Sequence, residues 1–407
     1  MSVNQSCALT GGTVAAGYPA RGFDRMGGDV VGDARAVGLA TIAREWGRIG
    51  CVGFGGPPAH IALLRELCVT RRGWLSDREF EDGIAVTNLL PGPASTQLAI
   101  LCAWRLRGAV GAVVGGVCFI VPGLLLILAL AVLFLADNAP AWVTGAAAGA
   151  GAAVPAVAAH AAWGLVPGSY RRVGTAWAAR VRWASYLVVG GVAAAVTGPW
   201  LVLVLVAAGL VEVAVRAPSG RTAHWPVVLA LPAVGGGLGA VAWVATKVGA
   251  LSYGGGFVII PLMRQDAVQT YGWMTDAQFL NAVALGQITP GPVVQTVAVV
   301  GYAAAGLGGG LLAAFVAFAP SFVMVIAGGP RLQRLRDNAK AQAFLTGAGA
   351  AAIGAIAGTT VPLAWSLHEP WQFVLLGLAA LWLLVLRRGV VSALVGAGVV
   401  GALIPLF

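Results

Sequence analysis

Long apolar stretches separated by short polar joints fill nearly the whole chain. They run from Ala36 to Leu67, Gly83 to Ala103, Ala109 to Ala136, Ala141 to Val166, Ala184 to Gly198 and Trp200 to Val215. After a polar joint from Arg216 to His224 they resume at Pro226 to Met263, Leu280 to Tyr302, Gly306 to Gly329, Ala341 to Trp365, Trp371 to Leu386 and Val390 to Phe407. Many reach the roughly 20 residues that a helix needs to cross a bilayer. Their apolar runs are continuous rather than alternating over about ten residues, which disfavours a membrane β-barrel. The pattern predicts an all-α polytopic membrane protein. Residues 1–36 differ: they are Gly-rich and polar, balance Arg21, Arg25 and Arg35 against Asp24, Asp29 and Asp33, and lack an apolar signal core. The expected organisation is a soluble N-terminal tail (1–36), a first repeat (37–215), a polar linker (216–225) and a second repeat (226–407).

Composition agrees. Of 407 residues, 59% are hydrophobic and 10% charged, with a mean hydropathy of +0.86; soluble domains are nearer a quarter charged. The net charge of +10 comes without a basic run interleaved with aromatics in a soluble domain, so it reads as loop arginine and not as a nucleic-acid surface. Cys7, Cys51, Cys68, Cys102 and Cys118 form no CxxC or Cys/His spacing, so neither a metal site nor a disulfide framework is implied. No cofactor motif is apparent.

An internal repeat is explicit. Phe54 to Gln97 lies over Tyr253 to Thr296 at a constant offset of 199, with identities that include Gly55/Gly254, Gly56/Gly255, Arg65/Arg264, Trp74/Trp273, Asp77/Asp276 and Pro91-Gly92-Pro93/Pro290-Gly291-Pro292. Matches on Gly, Pro, Trp, Arg and Asp mark a duplication, because chance similarity of apolar helices falls on Ala, Leu and Val.

Loop charge bears on orientation, since short cytoplasmic loops collect Lys and Arg. The first-half loop with Arg65, Arg71, Arg72 and Arg78 is basic, and Arg105 and Arg107 share its side if the segment broken at Pro91 to Pro93 turns back. The next loop holds Asp137, the following one is basic (Arg171, Arg172, Arg180, Arg182) and the turn Thr197 to Pro199 is neutral. In the second half the bias reverses: Arg264 stands beside Asp266 and Asp276, then come Arg331, Arg334, Arg336 and Lys340, then His368 and Glu369, then Arg387 and Arg388. Four loop pairs of opposite bias predict inverted-topology repeats. An odd number of crossings must then separate equivalent points, and Pro226 to Thr246 is long enough to supply the extra one.

Each repeat unit carries a Gly-rich break (Gly53, Gly55, Gly56 with Pro57 and Pro58; Gly254 to Gly256), a capping-box sequence (Ser76 to Glu79; Thr275 to Gln278) and a Pro-Gly-Pro break. Broken or re-entrant helices at depth line protein or watery cavities and expose helix N-termini that attract anions. Arg48 and its counterpart Lys247 are intramembrane cations, expensive enough to suggest anion attraction; Arg44 lies one turn before Arg48, with Glu45 beside it. Asn88 and Gln287 precede the two Pro-Gly-Pro turns, and Ser95, Thr96, Gln97, Gln295 and Thr296 follow them, offering uncharged donors. His60 has Ile259 as counterpart and titrates near neutral pH when unperturbed. The candidate substrate-binding residues are therefore Arg48, Gly55, Gly56, Pro57, His60, Asn88, Pro91, Gly92, Pro93 and Gln97, with Lys247, Gly254, Gly255, Gln287, Pro290, Gly291 and Pro292.

At FGGPPAHI, GWLSDREF, NLLPGPASTQLA and their echoes YGGGFVIIP, GWMTDAQF and QITPGPVVQT, the chain resembles the chromate ion transporter family in its long form with two homologous halves. The resemblance covers nearly everything after the tail. It implies chromate efflux across the inner membrane, with sulfate as a similar tetrahedral dianion, and makes Gly55, Gly56, Pro57, His60, Pro91, Gly92, Pro93 and Gln97 family-type positions. The second half departs at Gly256 and Ile259. A dianion leaving an inside-negative cell gains about 4.6 kcal/mol at 100 mV, so potential or a proton gradient suffices as driving force. No Walker A sequence is present. Sulfate uptake is the transport alternative. A membrane-embedded lipid-phosphate enzyme is the alternative of another class, and the lack of an acid within either break counts against it. The expected partners are a chromate- or sulfate-like oxyanion and the lipid bilayer, with room for a homo-oligomer.

Overall fold

The computed structural model describes residues 37–88, 90, 92–136, 139–196, 201–216, 237–252, 259–328 and 338–406. Residues 37–407 form one compact unit, and among the described residues all regular structure is helical. The protein is an all-α polytopic membrane protein. Its first half comprises α1 (Leu39–Val52), α2 (Pro57–Arg65), α3 (Asp77–Thr87), α4 (Ala94–Phe134), α5 (Ala141–Arg171), α6 (Trp177–Val196) and α7 (Leu201–Arg216). The second comprises α8 (Leu238–Leu251), α9 (Ile259–Arg264), α10 (Asp276–Ile288), α11 (Thr296–Gly328), α12 (Ala339–Trp365), α13 (Pro370–Ala380) and α14 (Val390–Leu403). Part of the extra crossing expected over Pro226 to Thr246 falls on residues 226–236, which lie outside the described residues; Leu238 to Thr246 belong to α8.

The short helices fold into hairpins. At about 1.5 Å per residue, the 14 residues of α1 reach about 21 Å, short of a bilayer's roughly 30 Å core. The chain then turns at Gly55 (φ 95°) and Gly56 (φ 72°), backbone angles that glycine adopts without cost. Pro57 opens α2 at the position where a missing N–H costs nothing. A wide helical turn, Glu66–Arg71, extends α2 and brings Arg72 back to Glu45 at 2.7 Å, with Trp74 stacked on Trp46. The chain thus enters and returns. α3 opens on a complete capping box between Ser76 and Glu79 and runs antiparallel to the start of α4: Gly83 faces Leu98 and Leu101, and Arg105 donates to the Glu79 carbonyl. The tip of this second hairpin carries Gly92 (φ 124°) and Pro93.

The 41 residues of α4 look like one over-long span but reverse at Arg107 and Gly108 (φ 61°). Gly116 lies against Ile100, so residues 109–134 return along 94–106. Only the second arm is long enough to cross. This geometry accounts for Arg105 and Arg107 lying at the same end as the α3 cap.

The second half repeats the same devices. A capping box joins Thr275 and Gln278, the wide turn recurs at Gln265–Thr270, and the Arg65–Asp77 pair at 2.8 Å recurs as Arg264–Asp276 at 2.7 Å. The reversal recurs at Ala305 and Gly306 and the helix proline Pro122 as Pro320, now at an offset of 198. One residue is lost just after the second Pro-Gly-Pro, where a 3-10 turn, Val293–Gln295, replaces the first turn of α4. Gln97 and Gln295 thereby become structural counterparts.

The halves interlock. The crossing arms of α4 and α11 run antiparallel, Gly116 meeting Phe322 and Leu128 meeting Gly310. The α6–α7 pair of the first half grips α12 of the second, with Gly191 near Gly354 and Gly209 near Phe344. Reciprocally, α5 packs on α13 and α14, Gly145 meeting Pro405 and Gly149 meeting Gly401. Small residues allow this approach, which is how membrane helices gain packing where no hydrophobic effect drives them together.

Candidate functional site

Three hairpin tips meet between the halves. The Gly53 carbonyl accepts from the Gly291 N–H at 3.0 Å and bonds the His60 Nε2 at 2.9 Å. A carbonyl can only accept, so Nε2 carries the proton and Nδ1 is the acceptor, filled by the Ser95 hydroxyl at 3.2 Å. Phe119 stands edge-on to the imidazole at 5.1 Å. His60 is fully buried, and its neutral tautomer ties α2, the α4 start and the second half's Pro-Gly-Pro tip into one network.

The two Pro-Gly-Pro tips are embraced by the opposite half. A side chain at Gly92 would meet the Gln97 amide nitrogen at 2.5 Å and the Ser321 hydroxyl of α11 at 3.1 Å. Gly123 of α4 abuts the Pro290 carbonyl and Gln295 Oε1. Gly123 and Ser321 each follow the helix proline of their own half, so the same contact is made twice with the halves exchanged. Gln295 donates to the Ile120 carbonyl at 2.7 Å.

Polar atoms collect here. Gln97, Ser95, Thr96, Gln287, Gln295, Thr296 and Ser321 are all buried. Among the described residues, Thr96 Oγ1, Gln287 Nε2, Gln295 Oε1 and Ser321 Oγ make no hydrogen bond, a costly state for buried polar groups unless something else binds them. Helix α4 begins at Pro93 without a side-chain cap, leaving first-turn N–H groups for another acceptor. The chemistry assembled is a set of uncharged donors (the Thr96 and Ser321 hydroxyls and the Gln287 amide nitrogen), the uncapped start of α4 and one neutral imidazole, with Gln295 Oε1 as a free acceptor. Among the described residues it contains no carboxylate pair, and its one hydroxyl–imidazole pair, Ser95 with His60, is buried and spent on joining the tips.

The other sequence candidates divide. Pro57 and Gly56 are half-buried and Gly55 exposed at the first tip, while Pro93, Pro290, Gly291 and Pro292 are buried at the Pro-Gly-Pro tips. Gln287 is buried but its counterpart Asn88 is exposed. Pro91, Gly254 and Gly255 lie outside the described residues. Arg48 is exposed, on the face of α1 that also carries Arg44. Lys247 is held by Asp266 at 2.6 Å and sits over Trp243, so its charge is compensated locally. Glu45 pairs with Arg72 at 2.7 Å and more distantly with Arg44; Arg72, 27 residues away, was not visible as its partner in sequence.

Sequence reading missed Ser321, Phe119 and Gly123. The signal that would have found Gly123 and Ser321 is the pair Pro122 and Pro320 at offset 198, which places them in equivalent positions; Phe119 has no such signal.

Comparison with known proteins is consistent along the chain. The sequence model of the family described as "Chromate transporter" matches twice, over residues 40–213 and 239–402. A "Probable chromate transport protein" of Synechococcus elongatus is 32% identical over 363 residues, 85% of this chain and 90% of that protein. A "Chromate transport protein" of Cupriavidus metallidurans is 33% identical, covering 80% and 82%, and one of Pseudomonas aeruginosa is 32% identical, covering 88% and 90%. No solved structure shows significant similarity to the chain.

Proposed function

From a chain that belongs to the chromate transporter family, and is thus a multi-pass membrane transporter and not an enzyme, we propose a secondary transporter that exports chromate across the inner membrane. The observation that carries the substrate class is the set of buried, uncharged donors left without partners among the described residues, the Thr96 and Ser321 hydroxyls and the Gln287 amide nitrogen, beside the meeting broken-helix tips. A tetrahedral oxyanion needs several hydrogen-bond donors to replace its water, and neutral amides, hydroxyls and helix N-termini supply them without binding so tightly that release stalls. The relatives' names give chromate as the member of that class.

Arg48 belongs to the approach. With Arg44 it forms an exposed ladder on α1 leading to the open tip at Phe54 and Gly55; on this reading the ladder lines an aqueous approach, because an arginine in hydrocarbon would cost about 2.5–3.5 kcal/mol. Lys247, neutralised by Asp266, plays the weaker part.

The two repeats, 37–215 and 226–407, sit inverted. Supporting this is the antiparallel packing of the equivalent arms 109–134 and 307–328, because equivalent spanning helices of opposite direction are related by an axis in the membrane plane. Alternating access then arises by rocking one interlocked set against the other. Export follows the membrane potential: a dianion gains about 4.6 kcal/mol at 100 mV, a little over three decades in concentration.

The test is flux of labelled chromate in vesicles under an imposed potential, with sulfate as competitor, in wild type and in Arg48→Ala, Lys247→Ala and Gln97→Ala. Saturable flux that reverses with the sign of the potential is expected, reduced most by Gln97→Ala. No saturable chromate flux in the wild type would sink the proposal.

A further inference from the structure

The two symmetric arginines at the hairpin bases differ in a way that creates a second anion position. Arg65 is saturated by two carboxylates, Asp77 and Glu81, each at 2.8 Å, and all three side chains are well exposed to solvent. Among the described residues its counterpart Arg264 pairs with Asp276 alone, at 2.7 Å, because the residue equivalent to Glu81 is Leu280, fully within the core. Arg264 is also drawn inward, with 16% of its side chain exposed against 45% for Arg65. Among the described residues its Nε–H has no hydrogen-bond partner.

Arg264 lines a cavity of about 60 Å³ together with Gln265, Gln269, Pro261 and, from the first half, Val196 and Leu201. That is several times the roughly 10–15 Å³ needed to admit one water, so a small multi-atom ion has room. Gln265 and Gln269 line the cavity with Arg264; Asp276 engages the guanidinium at Nη2, while its buried Nε–H is unused among the described residues, and arginine donors suit the oxygens of an oxyanion. The cavity lies where the end of α6 and the start of α7 meet the base of the second half's first hairpin. Both segments are poor in Lys and Arg, whereas the base of the first half's hairpins is arginine-rich. Resting on the proposed inverted topology, the cavity opens on the external side.

We propose that Arg264, with Gln265 and Gln269, forms an outer oxyanion subsite, distinct from the central site and used as the anion leaves or approaches from the external face. The first half has no equivalent, since Glu81 closes the corresponding arginine to anions, so the transporter is functionally asymmetric despite its duplicated fold.

The test is chromate and sulfate flux measured separately from each face, in right-side-out and inverted vesicles, for wild type, Arg264→Gln, Arg264→Lys and Gln269→Glu. Gln269 is exposed, so its carboxylate variant repels an anion at the subsite without disturbing the core. Expected is a roughly tenfold rise in half-saturating concentration at the external face for Arg264→Gln and Gln269→Glu, an intermediate rise for Arg264→Lys, and less than twofold change at the other face. Unchanged saturation at the external face in Gln269→Glu and Arg264→Gln, or equal rises at both faces, overturns the subsite. Absent wild-type flux of either anion would instead overturn the transport reading itself.

Discussion

The cross-half contact at Gly123 gives the sharpest mechanical prediction. A Cβ there would fall well inside 3.0 Å of the Pro290 carbonyl oxygen and 2.6 Å from Gln295 Oε1, distances that real side chains do not adopt. The amide of Gln295 can swing by a few tenths of an ångström, but it would give up its bond to the Ile120 carbonyl at 2.7 Å. The Pro290 carbonyl belongs to a backbone tip held by Gly291 on Gly53 and cannot swing at all. Gly123→Ala must therefore push the tip away from α4. Overpacking of this kind costs about 1–3 kcal/mol, and displacement of a binding group by about 1 Å costs up to about 100-fold in rate. Purified protein would show a lower thermal midpoint, and vesicles a chromate flux reduced by roughly 10- to 100-fold. Gly164→Ala is the control, since nothing lies within 4 Å of a Cβ at that position. Wild-type flux and midpoint in Gly123→Ala would refute the interlocked-tip account.

Other outcomes follow from the same geometry. His60→Ala, which removes the bridge between the Gly53 carbonyl and the Ser95 hydroxyl, is expected to lower flux at least tenfold, because unsatisfied buried groups cost about 1–3 kcal/mol; flux within twofold of wild type would exclude a central role. Ser76→Ala should destabilise the protein by about 1 kcal/mol through loss of the cap, whereas Glu79→Gln should lie within about 0.5 kcal/mol in denaturation at neutral pH, since Gln278 performs the same role in the second half. Burial raises the Glu79 carboxyl, but the hydrogen bonds from Ser76 and the nearby Arg105 outweigh it and hold the group below its ordinary value of 4.5. Its stabilisation is thus present above about pH 4.5 and fades as pH falls through the depressed folded value, a pH dependence of the thermal midpoint that Glu79→Gln should lessen. In a cysteine-free background, single cysteines at the equivalent positions Ser76 and Thr275 should label from opposite sides of the membrane; labelling from one side would refute the inversion.

Much of this was legible without coordinates. Continuous apolar runs exclude a soluble fold because their backbone and side chains find no other stable solvent than lipid and each other. The Gly-rich and Pro-Gly-Pro breaks and both capping boxes are visible because they depend on local chemistry: a missing N–H, a positive φ, a side chain three residues from its cap. The hairpin character was legible only in part. Arginine at 105 and 107 hinted that the Pro-Gly-Pro segment returns, but nothing local showed that Arg107 and Gly108 would fold residues 109–134 back along 94–106.

What the sequence by itself determined is the repeat, the helix breaks and the sign of each loop, since these reside in residues near one another along the chain. Tertiary structure alone decided which tips meet. It brought Gly53 to Gly291, Gly92 to Ser321 and Gly123 to Gln295, and it set Lys247 against Asp266 instead of the anion path. Those pairings join residues up to some 240 positions apart through an exchange of helices between the halves, and their partners are chosen by shape, where glycine lets one backbone reach another, and not by any local pattern.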